Sequence, residues 1–120
     1  MLSRAISMPD AMSLERWLPA RGPSLSAERR SLLFARLADF VARFHSLGLV
    51  HRDLYLSHIF VRFGETDAEP IFWLIDLARV FRPSGWRRRR WVVKDLAELR
   101  YSLGEMISPA EWDAFLARYG

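Results

Sequence analysis

Two carboxylates and a histidine stand at a spacing that could transfer a phosphoryl group. Asp53 lies in His51-Arg52-Asp53-Leu54-Tyr55-Leu56-Ser57-His58, and Asp76 follows 23 residues later in Leu74-Ile75-Asp76-Leu77-Ala78. Moving a γ-phosphoryl group needs a carboxylate beside the attacking hydroxyl, and metal ligands that offset the negative charge on the phosphate oxygens as the leaving bond breaks. Asp53 suits the first task. His58, five residues on, and Asp76, at the end of the apolar run Ile71-Phe72-Trp73-Leu74-Ile75, are the candidates for the second. For His58 the residue type leaves three roles open, because Mg²⁺ prefers oxygen to imidazole: metal ligand, hydrogen-bond donor to a phosphate, or a holder of Asp76.

The order of these pieces resembles a protein-kinase catalytic loop, H-R-D-L-x-x-x-N, followed by a metal-binding D-F-G segment. This chain has His58 in place of the Asn and Leu77-Ala78 in place of Phe-Gly. A loop with Tyr55 and a closing His resembles a narrower group, the lipopolysaccharide core kinases that phosphorylate Kdo or heptose sugars. Three separated segments carry the resemblance: His51 to His58, Ile75-Asp76-Leu77-Ala78-Arg79, and Arg90-Trp91-Val92-Val93-Lys94-Asp95-Leu96-Ala97. It implies the C-terminal lobe of a kinase-like fold, mainly helical α+β with a short β-hairpin, with residues 1–24 as a hinge-like segment and linker and 25–120 as the lobe. ATP and Mg²⁺ are the implied cofactors, and a lipopolysaccharide core sugar the implied acceptor. Asp53 would be the catalytic base, with Asp76 and His58 binding the metal and nucleotide. By the same resemblance His51 packs beneath the loop, Arg52 pairs with charged neighbours, and Asp95 anchors the loop backbone from a buried helix start. The other reading of Asp95 is a surface carboxylate pairing with Arg100 or Arg79.

The elements that must position these residues follow from periodicity. Leu33, Leu37, Phe40, Val41, Phe44 and Leu47 recur at three- and four-residue steps, which predicts one amphipathic helix from Ser26 to about Leu47, capped by Ser26 and closed by Gly48. His45 lies beside that stripe as a core histidine. Residues 59–63 and 71–75 read as two strands around a polar turn, so that Asp76 sits at a strand end. Residues 82–90 read as a basic loop, with helix returning from Val92 to Leu103. A last helix begins at Ser108-Pro109-Ala110-Glu111, a capping box with Pro in the first turn. Residues 1–24 show no sustained period beyond one helical turn near Ser13–Leu18.

Composition bounds the rest. In 120 residues, 51% apolar and 13% aromatic, there is one domain with material for a core, and no cysteine for disulfides or thiolate metal sites. No apolar run reaches the roughly 18 residues that span a bilayer. These features predict a cytoplasmic protein, with peripheral contact at the cytoplasmic face of the inner membrane as a further expectation. The net charge is +4, and all basic residues but Lys94 are Arg. A complete kinase holds the α- and β-phosphates with a Lys of its N-terminal lobe; Lys94 follows the metal Asp and cannot fill that place. The resemblance therefore implies a chain that starts at the hinge and lacks the Gly-rich lid, whether as a fragment, as half of a split enzyme completed by an N-terminal-lobe partner, or as a degenerate binding domain. Arg79 and the run Arg87, Arg88, Arg89 and Arg90 are candidate substrate-binding residues, matched to an acidic lipid-linked sugar. Nucleic acid gripped between Trp86 and Trp91 is the rival partner. A catalytically inactive module binding an anionic glycolipid or nucleic acid through these arginines is the alternative function. An uncovered lobe face also predicts an exposed apolar patch drawn from Ile6, Met8, Trp17, Ile59, Phe60 and Trp73, and hence a marginally stable chain that self-associates.

Overall fold

The stripe of apolar residues between Ser26 and Gly48 does form one helix, and the rest of the molecule is packed on it. The computed structural model describes residues 11–120. In chain order these carry strand β1 (Met12–Ser13), helix α1 (Leu14–Arg21), helix α2 (Ala27–Ser46), strands β2 (Ile59–Arg62) and β3 (Ile71–Leu74), helix α3 (Arg88–Leu103) and helix α4 (Pro109–Tyr119), with short 3₁₀ turns between them.

Helix α2 buries Leu33, Phe34, Leu37, Ala38, Val41 and His45 along one face. Each large apolar side chain so buried contributes about 1.5–3 kcal/mol. Ser26 Oγ accepts from the Arg29 amide at 3.1 Å and closes the first turn. At the other end Gly48 adopts φ +85°, and its amide returns to the His45 carbonyl at 2.9 Å. A side chain there would be strained, which is why glycine ends this helix. Helix α4 starts with the predicted capping box: Ser108 Oγ accepts from Glu111 N at 3.1 Å, and Glu111 Oε1 accepts from Ser108 N at 2.9 Å. Phe115 of α4 is buried and stacked on Trp112 at 4.8 Å. The Arg30 guanidinium ties α2 to α4 through Glu111, with Nε–Oε2 at 2.6 Å.

The two strands seen in the sequence pair antiparallel, with Phe60 opposite Trp73 and Val61 opposite Phe72. Alternation along β2 sends Ile59 and Val61 into the core and leaves Phe60 and Arg62 half-buried. The sheet also has a third strand that periodicity did not show. Met12 and Ser13 pair with Val61 and Phe60, making the order β1-β2-β3.

Three expectations need correction here. In the hinge-like stretch before residue 24, the one helical turn expected near Ser13–Leu18 is a longer element: α1 runs for eight residues, and Leu14, Trp17 and Leu18 belong to the same core cluster as α2 and β2. Trp17 and Ile59 were expected on an open apolar patch; they are 4% and 0% exposed, while Phe60 and Trp73 are half-buried and Ile6 and Met8 lie outside the described residues. The apolar residues that do face outward near the hairpin are Ile71, Ile75 and Leu77. Finally, the basic run is not all loop. Helix α3 begins at Arg88, four residues before the expected start, so three arginines occupy the end of a helix that disfavours positive charge. Arg88 offsets this by donating from Nη2 to the His45 carbonyl at 2.6 Å, at the negative end of α2.

Candidate active site

The loop that carries Asp53 hangs between α2 and α3. Past Gly48 the chain makes a two-bond bridge with a distant segment, Val50 N to Phe81 O at 3.0 Å and Phe81 N to Val50 O at 3.2 Å. It then turns sharply at Arg52, whose φ of +73° is costly for a side chain with a Cβ. What holds it there is Asp95, fully buried on α3. Its Oδ2 accepts from the His51 amide at 2.8 Å and its Oδ1 from the Arg52 amide at 2.9 Å. A third donor, His45 Nε2, reaches Oδ2 at 2.8 Å. The anchoring role implied for Asp95 is thus present, and the surface-pair alternative is excluded by burial; the residue lies two turns into the helix, however, and not at its start.

Asp95 is one of a row. Glu98 Oε1 accepts from the Leu54 amide at 3.1 Å, and Ser102 Oγ from the Leu56 amide at 3.1 Å. Positions 95, 98 and 102 share one helix face, so α3 satisfies four loop amides in succession. Glu98 also accepts from the Tyr55 hydroxyl at 3.3 Å, and Lys94 reaches the same carboxylate at 3.2 Å. The negative charge of Glu98, then burial, holds the Tyr55 phenol above its ordinary pKa, so it stays a donor. Sequence reasoning missed Glu98 and Ser102. The available signal was their i, i+3, i+7 spacing with Asp95.

Beneath the loop, His51 is buried and bridges the two halves of the site. Its Nε2–H donates to the Ile75 carbonyl at 3.0 Å, and its Nδ1 accepts from the Asp53 amide at 3.2 Å. His58 makes the second bridge. Nδ1–H donates to the Asp53 carbonyl at 2.7 Å, while Nε2 faces Asp76 Oδ2 at 3.2 Å. The pairing of Ile75 N with the His58 carbonyl at 3.0 Å fixes their elements to one another. Asp76 itself sits at φ +58°, ψ +62°, with its side chain 52% exposed at the mouth of the site. His58 thus contacts the backbone carbonyl of Asp53 on one side and the Asp76 carboxylate on the other.

Among the described residues no group of three carboxylates, histidines or cysteines is arranged as a complete metal site. The 3.2 Å between His58 Nε2 and Asp76 Oδ2 is close to the edge of an octahedron with bonds of about 2.1 Å, and a hard cation there would draw its other ligands from phosphate and water. The same geometry serves a proton shared between the two groups, so it is compatible with two of the three roles open to His58, metal ligand and holder of Asp76.

The cations divide into distinct roles. Arg79 pairs with Asp53, Nη1 to Oδ1 at 3.2 Å, and remains half-exposed. Among the described residues Arg52 does not pair with a charged neighbour: its Nε donates to the Arg79 carbonyl at 2.8 Å, and its guanidinium lies 4.7 Å from the Phe81 ring centroid and 5.7 Å from that of Trp91. Arg88 is turned onto α2. Arg87 stacks on Trp86 at 5.0 Å, and with Arg90, Trp91 and Lys94 these two line a cleft of about 410 Å³. Trp86 is 81% exposed. A larger cleft, about 600 Å³ beside Met12, Trp17, Arg62 and Asp67, is lined by none of Asp53, His58 or Asp76.

The comparisons agree with this architecture. A solved structure described as WaaP in complex with acyl carrier protein superposes with a TM-score of 0.75 and 26% identity, over 91% of this chain and 46% of that one. The chain thus spans about half the length of that relative. No curated protein matches it. The model of the lipopolysaccharide kinase (Kdo/WaaP) family matches residues 6–119. With nearly its whole length so matched and a partial kinase-like lobe as its fold, the chain belongs to the Kdo/WaaP lipopolysaccharide kinase family.

Proposed function

We propose that this chain provides the large-lobe half of an ATP-dependent kinase acting on a Kdo or heptose sugar of the lipopolysaccharide core. The observation that carries the reading is the bonded path from Asp53 through His58 to Asp76. Asp53 is placed to orient the acceptor hydroxyl and accept its proton late in the transfer, while its backbone carbonyl steadies His58. Asp76 and His58 are the residues that would hold Mg²⁺; when bound, the ion offsets charge on the transferring phosphoryl group. Arg79 keeps the Asp53 carboxylate turned toward the mouth of the site. Fixing these groups in advance matters because positioning and electrostatics supply most of this catalysis.

The acceptor belongs in the cleft of Trp86, Arg87, Arg90, Trp91 and Lys94. Its cations suit phosphate or carboxylate substituents, and its indoles suit the apolar face of a sugar ring. Lys94 and Glu98 connect that cleft to Tyr55, two residues beyond Asp53. Of the four consecutive arginines, Arg87 and Arg90 are thus the better candidates for acceptor contact. The nucleotide requires a small lobe to cover its phosphates, on whichever polypeptide carries it. Acyl carrier protein, seen with WaaP, is a protein partner to test, and the basic face suits peripheral contact with an anionic inner-membrane surface. Among the described residues no helix is long and apolar enough to cross a membrane.

A second reading, a non-catalytic module for anionic glycolipid, draws on the ion pair that occupies Asp53 while the basic cleft stays open. Transfer of radiolabelled phosphate from ATP to core oligosaccharide, with Asp53→Ala as the control, separates the two. Incorporation that disappears in the variant supports the kinase; equal incorporation by both proteins defeats it. Oligosaccharide binding without transfer favours the module.

A further inference from the structure

Behind the loop anchor lies a residue that the phosphotransfer reading does not use. His45 is buried on α2, with Nε2 on Asp95 Oδ2 at 2.8 Å and Nδ1 on the Tyr119 hydroxyl at 2.7 Å. We propose that Tyr119, on the last turn of α4, is a positioning residue for the catalytic loop, acting by fixing the proton arrangement of His45 and through it the aim of Asp95.

Asp95 already receives the amides of His51 and Arg52, so a carboxylate facing His45 needs a proton on Nε2. In the neutral ring Nδ1 then carries a lone pair, and a buried lone pair requires a donor. The Tyr119 hydroxyl is that donor. Burial, the leading effect on Tyr119, raises its pKa, so the phenol keeps its proton. Without the hydroxyl the buried Nδ1 lone pair loses its donor and Nε2–H is held by Asp95 alone, so the preference weakens; in the other tautomer the Nε2 lone pair would face the Asp95 oxygen and push the carboxylate off the loop amides. Close packing around the buried His45 and the edge-to-face contact of the two rings at 5.8 Å keep the imidazole from rotating away. The path from Tyr119 to the strained φ of Arg52 is three hydrogen bonds long.

The test reads the loop itself, so its failure leaves the phosphotransfer proposal standing. Tyr119→Phe keeps the ring and removes the hydroxyl. Long-range ¹⁵N–¹H spectra of the full chain should show His45 with Nε2 protonated and Nδ1 bonded in the wild type, and a displaced Nδ1 resonance in the variant. The His51 and Arg52 amides should exchange with solvent about tenfold faster, the effect expected from one lost buried hydrogen bond. The Val61 amide on β2 should not change, which separates a local effect from global loosening. Arg118→Ala loosens α4 by removing its bonds to Asp39 without touching the phenol, and should leave the His45 spectrum as in wild type. An unchanged Nδ1 resonance in Tyr119→Phe, equal acceleration at Val61, or the same spectral change in Arg118→Ala would each overturn the proposal.

Discussion

Replacing Asp95 by alanine would strip three donors, two of them fully buried, of their acceptor at once. The His51 and Arg52 amides and the His45 imidazole lie at 2.8 to 2.9 Å from its oxygens. Each orphaned group costs about 1–3 kcal/mol, which brackets the loss between about 3 and 9 kcal/mol. Relaxation lowers the upper figure, because Arg52 is released from a left-handed φ that itself costs about 1–2 kcal/mol. About 4 kcal/mol is the expected outcome, a large share of the 5–15 kcal/mol that holds a typical domain together. Asp95→Asn is the informative companion. With its amide oxygen in the Oδ2 position it keeps His45 and His51 and sets its NH₂ against the Arg52 amide, so one donor is lost and the cost should be about 1–3 kcal/mol. Urea unfolding followed by tryptophan fluorescence, with the slope of the transition checked for constancy, measures both. A loss below about 1 kcal/mol for the alanine variant, or an alanine variant no worse than asparagine, would refute the claim that this carboxylate supports the loop.

Gly48→Ala should cost about 1–2 kcal/mol in the same assay, because φ is +85° and the new Cβ would meet Arg82 Nη1 at 2.5 Å, disturbing its bond to the Leu47 carbonyl. Phe115→Ala should lose about 3–5 kcal/mol and release α4 from α2, seen as a lower melting temperature and faster exchange in both helices. The Glu111 carboxyl is held below its ordinary value of 4.5, chiefly by its hydrogen bond from Arg30. A depressed folded-state pKa means the pair stabilises above pH 4.5, and its contribution is lost as the pH falls through the folded value. Glu111→Gln should therefore be less stable than wild type at neutral pH and converge with it on acidification; a gap that widens toward low pH would contradict the sign. Sedimentation of the purified chain should show self-association through the surface near Ile71, Ile75 and Leu77, and a monodisperse monomer at all concentrations would argue that this surface needs no cover.

What the sequence determined by itself was everything set by local chemistry. The three- and four-residue rhythm of α2, the Ser108–Glu111 capping box and the alternation of β2 depend on neighbours a few residues apart, so they are visible in the chain. The spacing of Asp53, His58 and Asp76 was equally legible, since the loop and hairpin between them are short enough to bring them together. The tertiary structure decided which polar groups meet across long separations. Glu98 and Ser102 read as an ordinary polar face of a helix beside Asp95, for which only the resemblance implied an anchoring role, and packing alone shows that the face is covered by loop amides some 44 residues away in the chain. Two paired residues at Met12–Ser13 have no period to detect, and Trp17 could be placed in the core only once β2 was known to lie beneath it. The arginine run shows the same limit. Four identical side chains carry identical local signals, and what sends Arg88 to the end of α2 and leaves Arg87 and Arg90 around an open cleft is the direction in which α3 leaves the loop.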